Sequence, residues 1–374
     1  MEKIKVCYVI DSLSGGGAES QLIELVKGID RGRYSPTVCC LTSGSSISKR
    51  AEEIMPDIIF YHMDNLFTMA GLREWVRFIK FVRKSQFDIV HSYLFTADIV
   101  GLLGSFIARQ GVRISSRRDL GFWHKWRHRW LYRYLLNPLT HHFNPNASAT
   151  EARLIEREHV SPTRVTTIMN GVDIYKFSSN GHHQMKNGPG PKGPVFGIVA
   201  SLSPVKGHAI LLEAMSEVLQ AEPLAKLLIA GSGPLDEWLH RIVERSGLSE
   251  AVEFLGYRPD VQSVYGEIDI LVSASHSEAT SNTIMEAMAC GLPVVATGVG
   301  ASVELIKDGR TGYLCEPGDA ESMTDQMLRA WRGLQAGARV GPLARMKIVN
   351  HYSNAVMVAK TETLYSLLAG GFRE

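Results

Sequence analysis

Several hallmarks of common protein classes are missing from this chain of 374 residues. Its five cysteines are odd in number and form no C-x-x-C pair, and its thirteen histidines show no metal-ligand spacing. A disulfide-stabilised domain and a structural zinc site are therefore not predicted, and reduced, buried thiols are expected instead. We also expect no bound metal and no other cofactor.

Long apolar runs are missing as well. The longest, residues 99–108, is far too short to cross a bilayer. The first ten residues lead directly into a predicted strand and lack the apolar core of a signal peptide. We therefore expect a cytoplasmic protein that is not integral to a membrane.

Net charge is small, at +2, but unevenly distributed, because residues 109–133 carry eight Arg and Lys against one Asp. A helix predicted over residues 123–134 places Trp123, Trp126 and Trp130 on one face, with Arg129 towards the other. This segment suits an anionic membrane surface or an acceptor, and the alternative is an aromatic face packed on its own domain. Nucleic acid is not indicated, since one short basic segment lacks a recognition motif.

Predicted strands, among them one over residues 165–169, alternate with predicted helices in both halves of the chain, which favours parallel sheets covered on both faces. Residues 180–194, rich in glycine and proline and without apolar periodicity, separate the halves as a linker. The prediction is an α/β protein with two Rossmann-like parallel-sheet domains, residues 1–179 and 195–355. Residues 356–374 are expected to form a C-terminal helix that could pack back on the first domain.

The first half offers a candidate phosphate site in a glycine-rich turn between a strand and a helix, with a plain tight turn as the alternative. The spacing of its glycines is not G-x-G-x-x-G, which disfavours a dinucleotide-dependent dehydrogenase. His91 is predicted just past the carboxyl end of a strand, where open α/β sheets bind ligands. A lone histidine at such a position is also often structural.

The second half contains a predicted strand, a polar turn carrying Glu278, and a short helix carrying Glu286. Between them, Ser281, Asn282 and Thr283 offer N-cap side chains and unpaired backbone N–H groups. A helix N-terminus at the end of a strand attracts anions. Two carboxylates beside an anion site suggest a nucleotide sugar as ligand, and the alternative is a solvated turn with a surface glutamate.

Taken together and in order, these motifs resemble the retaining glycosyltransferases of family four, whose GT-B fold has two Rossmann-like lobes facing across a cleft. The resemblance runs nearly end to end. It rests most strongly on the two glutamates with seven residues between them. The other matching segments are residues 16–19, 88–91, 170–173, 202–207, 308–312 and 317–319.

The resemblance implies a role for each matching residue of the second half. Glu286 would hold the ribose hydroxyls of the donor, and Glu278 the hydroxyls of the transferred sugar. The amides of Asn282 and Thr283 would bind the diphosphate, whose charge Lys206 would neutralise.

Further roles follow from the same resemblance. Tyr257 and Arg258 would lie beside the nucleotide base. Gly16 and Gly17 would approach phosphate or acceptor from the first lobe, and His91 would lie near the reacting sugar. Retention in such enzymes is thought to need no enzyme nucleophile, because a phosphate oxygen of the donor deprotonates the acceptor.

The chain departs from the family pattern at Ser201, where many members carry an arginine that also contacts the diphosphate. Loss of such a contact could cost about 2 kcal/mol or more. This departure bears on turnover and donor choice but leaves the fold assignment in place.

The expected function is transfer of a sugar from a UDP- or GDP-linked donor to a lipid-linked or membrane-proximal saccharide acceptor. Such a reaction would belong to bacterial polysaccharide or glycoconjugate synthesis at the inner face of the membrane. One alternative is a catalytically silent nucleotide-sugar-binding scaffold, which Ser201 favours. The other is a sugar-phosphate synthase or an epimerase of the same fold with a soluble substrate.

Overall fold

The computed structural model describes residues 2–14, 16–42, 58–121, 125–178 and 193–373. The chain divides into unit 1, Met1–Gly171 with Asn354–Glu374, and unit 2, Val172–Ser353. Of the predicted linker, residues 180–192 lie outside the described ranges.

Unit 1 is built on a six-stranded sheet in the order β3-β2-β1-β4-β5-β6, and every neighbouring pair is parallel. The strands are β1 (Ile4–Ile10), β2 (Tyr34–Cys40), β3 (Ile59–Phe60), β4 (Ile89–Tyr93), β5 (Val112–Arg117) and β6 (His142–Pro145). The helices that the structure describes before the linker are α1 (Gly17–Gly28), α2 (Met69–Ser85), α3 (Phe95–Ala108), α4 (Trp126–Leu131), α5 (Asn137–Leu139) and α6 (Ser148–Glu156).

Alternation along β1 shows why this sheet is covered on both faces. Val6 and Tyr8 belong to one apolar cluster, whereas Cys7 and Val9 between them belong to another. Successive side chains of a strand point to opposite faces, so a strand buried on both faces is apolar throughout. The first cluster includes side chains of α1, and the second includes those of α2 and α3.

Unit 2 repeats the same topology, with a six-stranded parallel sheet ordered β12-β11-β10-β7-β8-β9. Its strands are β7 (Val195–Val199), β8 (Lys226–Ala230), β9 (Val252–Gly256), β10 (Ile270–Ser273), β11 (Val294–Thr297) and β12 (Tyr313–Cys315). Its helices are α7 (His208–Ala221), α8 (Asp236–Arg245), α9 (Val261–Glu267), α10 (Asn282–Cys290), α11 (Ser302–Leu305), α12 (Ala320–Gln335) and α13 (Val340–His351).

The C-terminal helix α14 (Asn354–Arg373) belongs to unit 1. Its Tyr365 is fully buried in the same apolar cluster as Tyr8. The hydroxyl of Tyr34 lies 2.8 Å from that of Ser366, and Val358 packs so closely on Gly28 that a β-carbon there would lie 2.8 Å away. The last helix is therefore part of the core of the first domain.

Two local predictions need correction. A strand predicted over residues 165–169 is only an isolated bridge between Phe143 and Val165. The side-chain amide of Asn144 donates to the carbonyl of Thr166 at 3.0 Å, so a side chain takes the place of a ladder hydrogen bond. The predicted long basic helix is also shorter, because α4 ends at Leu131 and a π-helical turn, Tyr132–Leu136, follows.

The aromatic side chains of this segment do not pack as the core alternative requires. Trp126 and Trp130 are 69% and 57% exposed, whereas Tyr132 and Leu136 of the π-helical turn are buried. Trp123 lies outside the described residues. The alternative that this aromatic face packs on its own domain is therefore wrong for Trp126 and Trp130.

All five cysteines are free and buried, as the sequence predicts. None of the helices that the structure describes is both long and apolar enough to cross a membrane.

The close approach of two loops in unit 2 depends on Gly207. Its φ is +67°, and a β-carbon there would lie 1.9 Å from the carbonyl oxygen of Ala274, just beyond β10. Gly207 ends the turn that carries Lys206, so this approach places the lysine beside the loop that follows β10.

Substitution of this glycine should show how much the close approach contributes. We expect Gly207→Ala to lower the unfolding free energy by about 3 kcal/mol, from a left-handed backbone cost and a steric clash. Gly247→Ala is the matched control, because Gly247 has a φ of +68° and open space around it. Its cost should be only about 1 kcal/mol. Equal losses in urea denaturation would contradict the clash.

Candidate functional site

The candidate site of unit 2 lies where the strand order of its sheet reverses, between β7 and β10. In open α/β sheets, ligands bind outside the carboxyl ends of the strands at this point. A 3₁₀ turn, Pro204–Lys206, follows β7, and residues 274–281 follow β10. The amide of His276 donates to the carbonyl of Val205 at 2.8 Å, which joins the two loops.

Lys206 and Glu278 form an ion pair at this edge, with 2.5 Å between Nζ and Oε2. The hydroxyl of Ser275 lies 3.3 Å from the same carboxylate oxygen. Both charged side chains remain partly exposed, at 23% and 17%. The pair is therefore held in place yet within reach of a ligand.

Helix α10 begins immediately after this loop and is capped by Ser281, whose Oγ accepts from the amide of Ile284 at 3.4 Å. The hydroxyls of Ser281 and Thr283 lie 3.0 Å apart. The Ser281 side chain therefore accepts the hydrogen bond of the Ile284 amide. Asn282 and Thr283 form the first turn of the helix, where the helix dipole favours an anion.

Glu286 lies one turn further along α10 and is half-buried. Its Oε2 accepts a hydrogen bond of 2.8 Å from the hydroxyl of Tyr265, a buried residue of α9. Burial and the nearby carboxylate of Glu286 raise the pKa of Tyr265 well above its ordinary value, so the phenol keeps its proton and donates. Sequence reasoning missed Tyr265, because no local pattern links it to a glutamate twenty-one residues later.

Three further predicted residues lie on exposed loops after β7 and β9, the two strands that flank β8. Tyr257 is 72% exposed and, with Arg258, directly follows β9. Ser201 follows β7, is exposed, and has its hydroxyl 3.2 Å from that of Ser203. All three are on the carboxyl-end side of the sheet, where the predicted roles require them.

In unit 1, the glycine-rich turn is organised by Glu19. The Gly16 amide donates to Glu19 Oε2 at 2.6 Å, and the hydroxyls of Ser12 and Ser14 donate to Oε1 of the same carboxylate. The amide of Gly16, a residue predicted to approach phosphate or acceptor, is thus hydrogen-bonded to Glu19. The role predicted for Gly17 stays a prediction.

His91 does not lie past a strand end, and that prediction is wrong, because β4 continues to Tyr93 in register with β5. The imidazole is fully buried, with Nδ1 2.7 Å from the Tyr365 hydroxyl and Nε2 2.8 Å from the Ser116 hydroxyl. Ser116 in turn accepts from Arg118 at 3.0 Å. Burial and the charge of Arg118 hold the pKa of His91 well below its ordinary value, so His91 is a neutral link between α14 and Arg118.

His208, the first residue of α7, is a site neighbour that sequence reasoning did not single out. It is 2% exposed, and within the described part of the chain neither ring nitrogen has a hydrogen-bond partner. Burial, and then the charge of Lys206, lower its pKa to about 4. Its position directly after Lys206 and Gly207 could have identified it from the sequence.

Two family models match the chain. The model of Glycosyltransferase Family 4 matches residues 15–176, and that of Glycosyl transferases group 1 matches residues 193–332. Together they span most of the sequence, one in each predicted domain. The chain therefore belongs to the family-four type of glycosyltransferase with the GT-B fold.

Similar proteins differ in how much of the chain they match. The chain is 28% identical over 223 residues to N-acetyl-alpha-D-glucosaminyl L-malate synthase of Bacillus anthracis, an alignment that covers 58% of each protein. The chain thus spans little more than half the length of that relative. It is 22% identical, over 97% of each chain, to an Escherichia coli UDP-Gal:alpha-D-GlcNAc-diphosphoundecaprenol alpha-1,3-galactosyltransferase.

Among solved structures, HepE of Anabaena in complex with UDP-glucose has a TM-score of 0.83 to this chain. The likeness covers 97% of this chain and 99% of HepE, at 24% identity. It establishes the shared fold.

The buried imidazole of His208 should make stability depend on pH. Its pKa is about 4 in the folded protein and ordinarily 6.5. Between these two pH values, His208 therefore binds a proton in the unfolded chain but stays neutral in the folded chain. Stability is therefore lost as the pH falls from 6.5 to 4, by about 3 kcal/mol from this residue. In urea denaturation at several pH values, His208→Gln should lose correspondingly less. A slope in His208→Gln equal to that of the wild type would contradict the assignment.

Proposed function

We propose that this protein is a retaining glycosyltransferase that moves a sugar from a UDP- or GDP-linked donor to a lipid-linked or membrane-proximal saccharide acceptor. The observation that carries the proposal is the Lys206–Glu278 pair beside the N-terminus of α10, at the switch point of the second sheet. A cation, a helix N-terminus and a carboxylate together match a ligand that carries both phosphates and hydroxyls.

The charges of this site suit departure of a nucleoside diphosphate. As the bond to the sugar breaks, negative charge grows on the diphosphate, and the ammonium group of Lys206 and the first turn of α10 would stabilise it. Lys206 would then share its charge between phosphate and Glu278, which leaves the carboxylate oxygens for sugar hydroxyls. Glu286, held by Tyr265, would accept from the ribose hydroxyls.

We further propose that the reaction needs no bound metal and no enzyme nucleophile. Lys206 and the helix N-terminus supply positive charge where a divalent ion would otherwise do so. The acceptor hydroxyl oxygen would attack the sugar carbon as the bond between that carbon and the donor diphosphate breaks, and a phosphate oxygen of the leaving diphosphate would take the hydroxyl proton. His91 would contribute indirectly, by holding Arg118 in place through Ser116.

The relatives favour different acceptors. The name of the Escherichia coli relative specifies an acceptor on diphosphoundecaprenol, which supports a lipid-linked acceptor and work at the inner face of the membrane. The name of the Bacillus anthracis relative includes L-malate, a small soluble molecule, which supports the alternative of a soluble substrate. Coverage of 97% of both chains makes the first of these the stronger guide.

A catalytically silent nucleotide-sugar binder is the second candidate. The exposed Ser201 favours it, because a hydroxyl offers phosphate one neutral hydrogen bond where an arginine would offer a charged, bidentate contact. In the enzyme, that hydroxyl would still bind a phosphate oxygen beside Lys206.

A panel of UDP- and GDP-sugars tests the donor assignment. We expect one nucleotide sugar to raise the melting temperature by mass action, and Glu286→Ala to weaken its binding about tenfold, as for loss of a charged hydrogen-bond acceptor. Glu213→Ala, at an exposed position on α7, is the control and should bind normally.

The same panel separates the candidates. Product with retained anomeric configuration, formed equally with and without EDTA, is expected of the enzyme. Tight binding with neither transfer nor hydrolysis would establish the silent binder, and an unchanged affinity in Glu286→Ala would refute the ribose assignment.

The exposed aromatic residues of α4 test the membrane assignment. Trp126 and Trp130 lie among Lys125, Arg127 and Arg129, which suits insertion at an anionic lipid surface. We expect Trp126→Ala/Trp130→Ala to reduce sedimentation with phosphatidylglycerol vesicles at least about tenfold. Trp238→Ala, 42% exposed on α8, should bind as the wild type does. Absence of binding by the wild type, or full binding by the double variant, would contradict the assignment.

A further inference from the structure

A cavity of about 760 Å³ opens in unit 1 beside α4 and the π-helical turn. Most of its lining is basic or aromatic. The lining residues are Leu120, Gly121, Arg129, Trp130, Arg133, Tyr134, Arg153, Arg157 and Glu158. We call this cavity the arginine groove.

The charges of the arginine groove are unbalanced. Its single carboxylate, Glu158, lies 3.4 Å from Arg153 and 3.8 Å from Arg117. It is thus already neutralised. Arg129, Arg133 and Arg157 are exposed, and no ion pair joins them to a carboxylate elsewhere in the described ranges. The groove therefore presents three uncompensated guanidinium groups.

The wall of the groove is aromatic. The rings of Trp130 and Tyr134 lie with their centroids 5.6 Å apart, and both residues are more than half exposed. The guanidinium of Arg133 lies 5.5 Å from the centroid of the Tyr134 ring. Flat aromatic faces next to cations suit a ligand with an anionic group and an adjoining sugar or apolar portion.

A second, independent observation comes from a separate, water-sized cavity. This cavity shares Arg153 and Glu158 with the groove and is also lined by Arg117 and Thr150. The hydroxyl of Thr150, a residue only 1% exposed, has no hydrogen-bond partner among the residues that the structure describes. A buried hydroxyl without a partner is costly unless water or a ligand binds it.

We propose that the arginine groove binds the phosphate or diphosphate group of the glycosyl acceptor. The inference rests on the proposed function, because it names the chemical class of the acceptor that the transferase uses. A diphosphate ester carries enough charge to pair with several arginines, each able to bind two oxygens. A neutral saccharide would leave three guanidinium groups uncompensated, and a single carboxylate would pair with only one.

Two sources can supply this group: a lipid-linked diphosphate or a soluble sugar phosphate. They differ in the portion next to the phosphate, which the Trp130–Tyr134 wall would contact. Farnesyl diphosphate represents the first source, and glucose 1-phosphate the second. Farnesol, which lacks phosphate, reports contact of the apolar chain alone.

Calorimetric titration of the full chain with these probes, in saturating UDP, tests the assignment. UDP occupies the proposed donor site, so further binding of phosphate reports another site. We expect Arg133→Gln/Arg157→Gln to weaken binding of the preferred phosphate probe at least tenfold. Arg73→Gln/Arg83→Gln removes the same charge from exposed positions on α2 and should bind normally. Farnesol should bind weakly to all forms.

Preference for farnesyl diphosphate would identify a lipid-linked acceptor, and preference for glucose 1-phosphate a soluble one; either supports the groove. Binding of neither phosphate probe, or equal losses in the two double variants, would overturn it. Failure of UDP itself to bind would instead count against the proposed donor site. The phosphate probes are then titrated without UDP, so the two failures remain distinguishable.

Discussion

In each unit, the first and fourth strands in chain order pair in parallel: β1 with β4, and β7 with β10. The rest of this molecule depends on that pairing. In unit 2 it brings the turn after β7 and the loop after β10 to one edge, although about seventy residues separate Lys206 from Glu278. Gly207 and Ala274 then approach more closely than any side chain would allow. The ion pair is thus a product of sheet topology and one glycine.

Arg117 of unit 1 is buried and paired within the protein, whereas Lys206 and Glu278 of unit 2 are partly exposed. In unit 1, the buried imidazole of His91 stays neutral and links Tyr365 of the last helix to Arg118 through Ser116. The buried Arg117 lies 3.4 Å from Asp98 and over the ring of Tyr132. In unit 2, Lys206 and Glu278 remain partly exposed, where water and a ligand can compete for them. Buried charges must be paired within the protein, whereas the exposed pair can be exchanged for a ligand.

The aromatic residues in the basic segment of unit 1 are divided between the buried core and the exposed surface. The π-helical turn of this segment buries Tyr132 and Leu136 against α3, which leaves Trp130 and Tyr134 at the surface beside arginines. In a regular α-helix, all of these aromatic residues would be arranged with a constant period of 3.6 residues per turn. The local change of period is thus part of what shapes the arginine groove.

By itself, the sequence determined the α/β class, the two Rossmann-like halves and the loop that carries Glu278 and Glu286. These follow from local signals: apolar strands, helix caps, glycines and a spacing of eight residues. Only the tertiary structure decided that Tyr265 holds Glu286, that Glu19 takes the Gly16 amide, and that His91 lies inside a strand. Each of these depends on side chains brought together by sheet pairing or helix packing, and no local periodicity records such distances. The exposure of Trp126 and Trp130 was open for the same reason, since an aromatic face looks alike whether protein or solvent covers it.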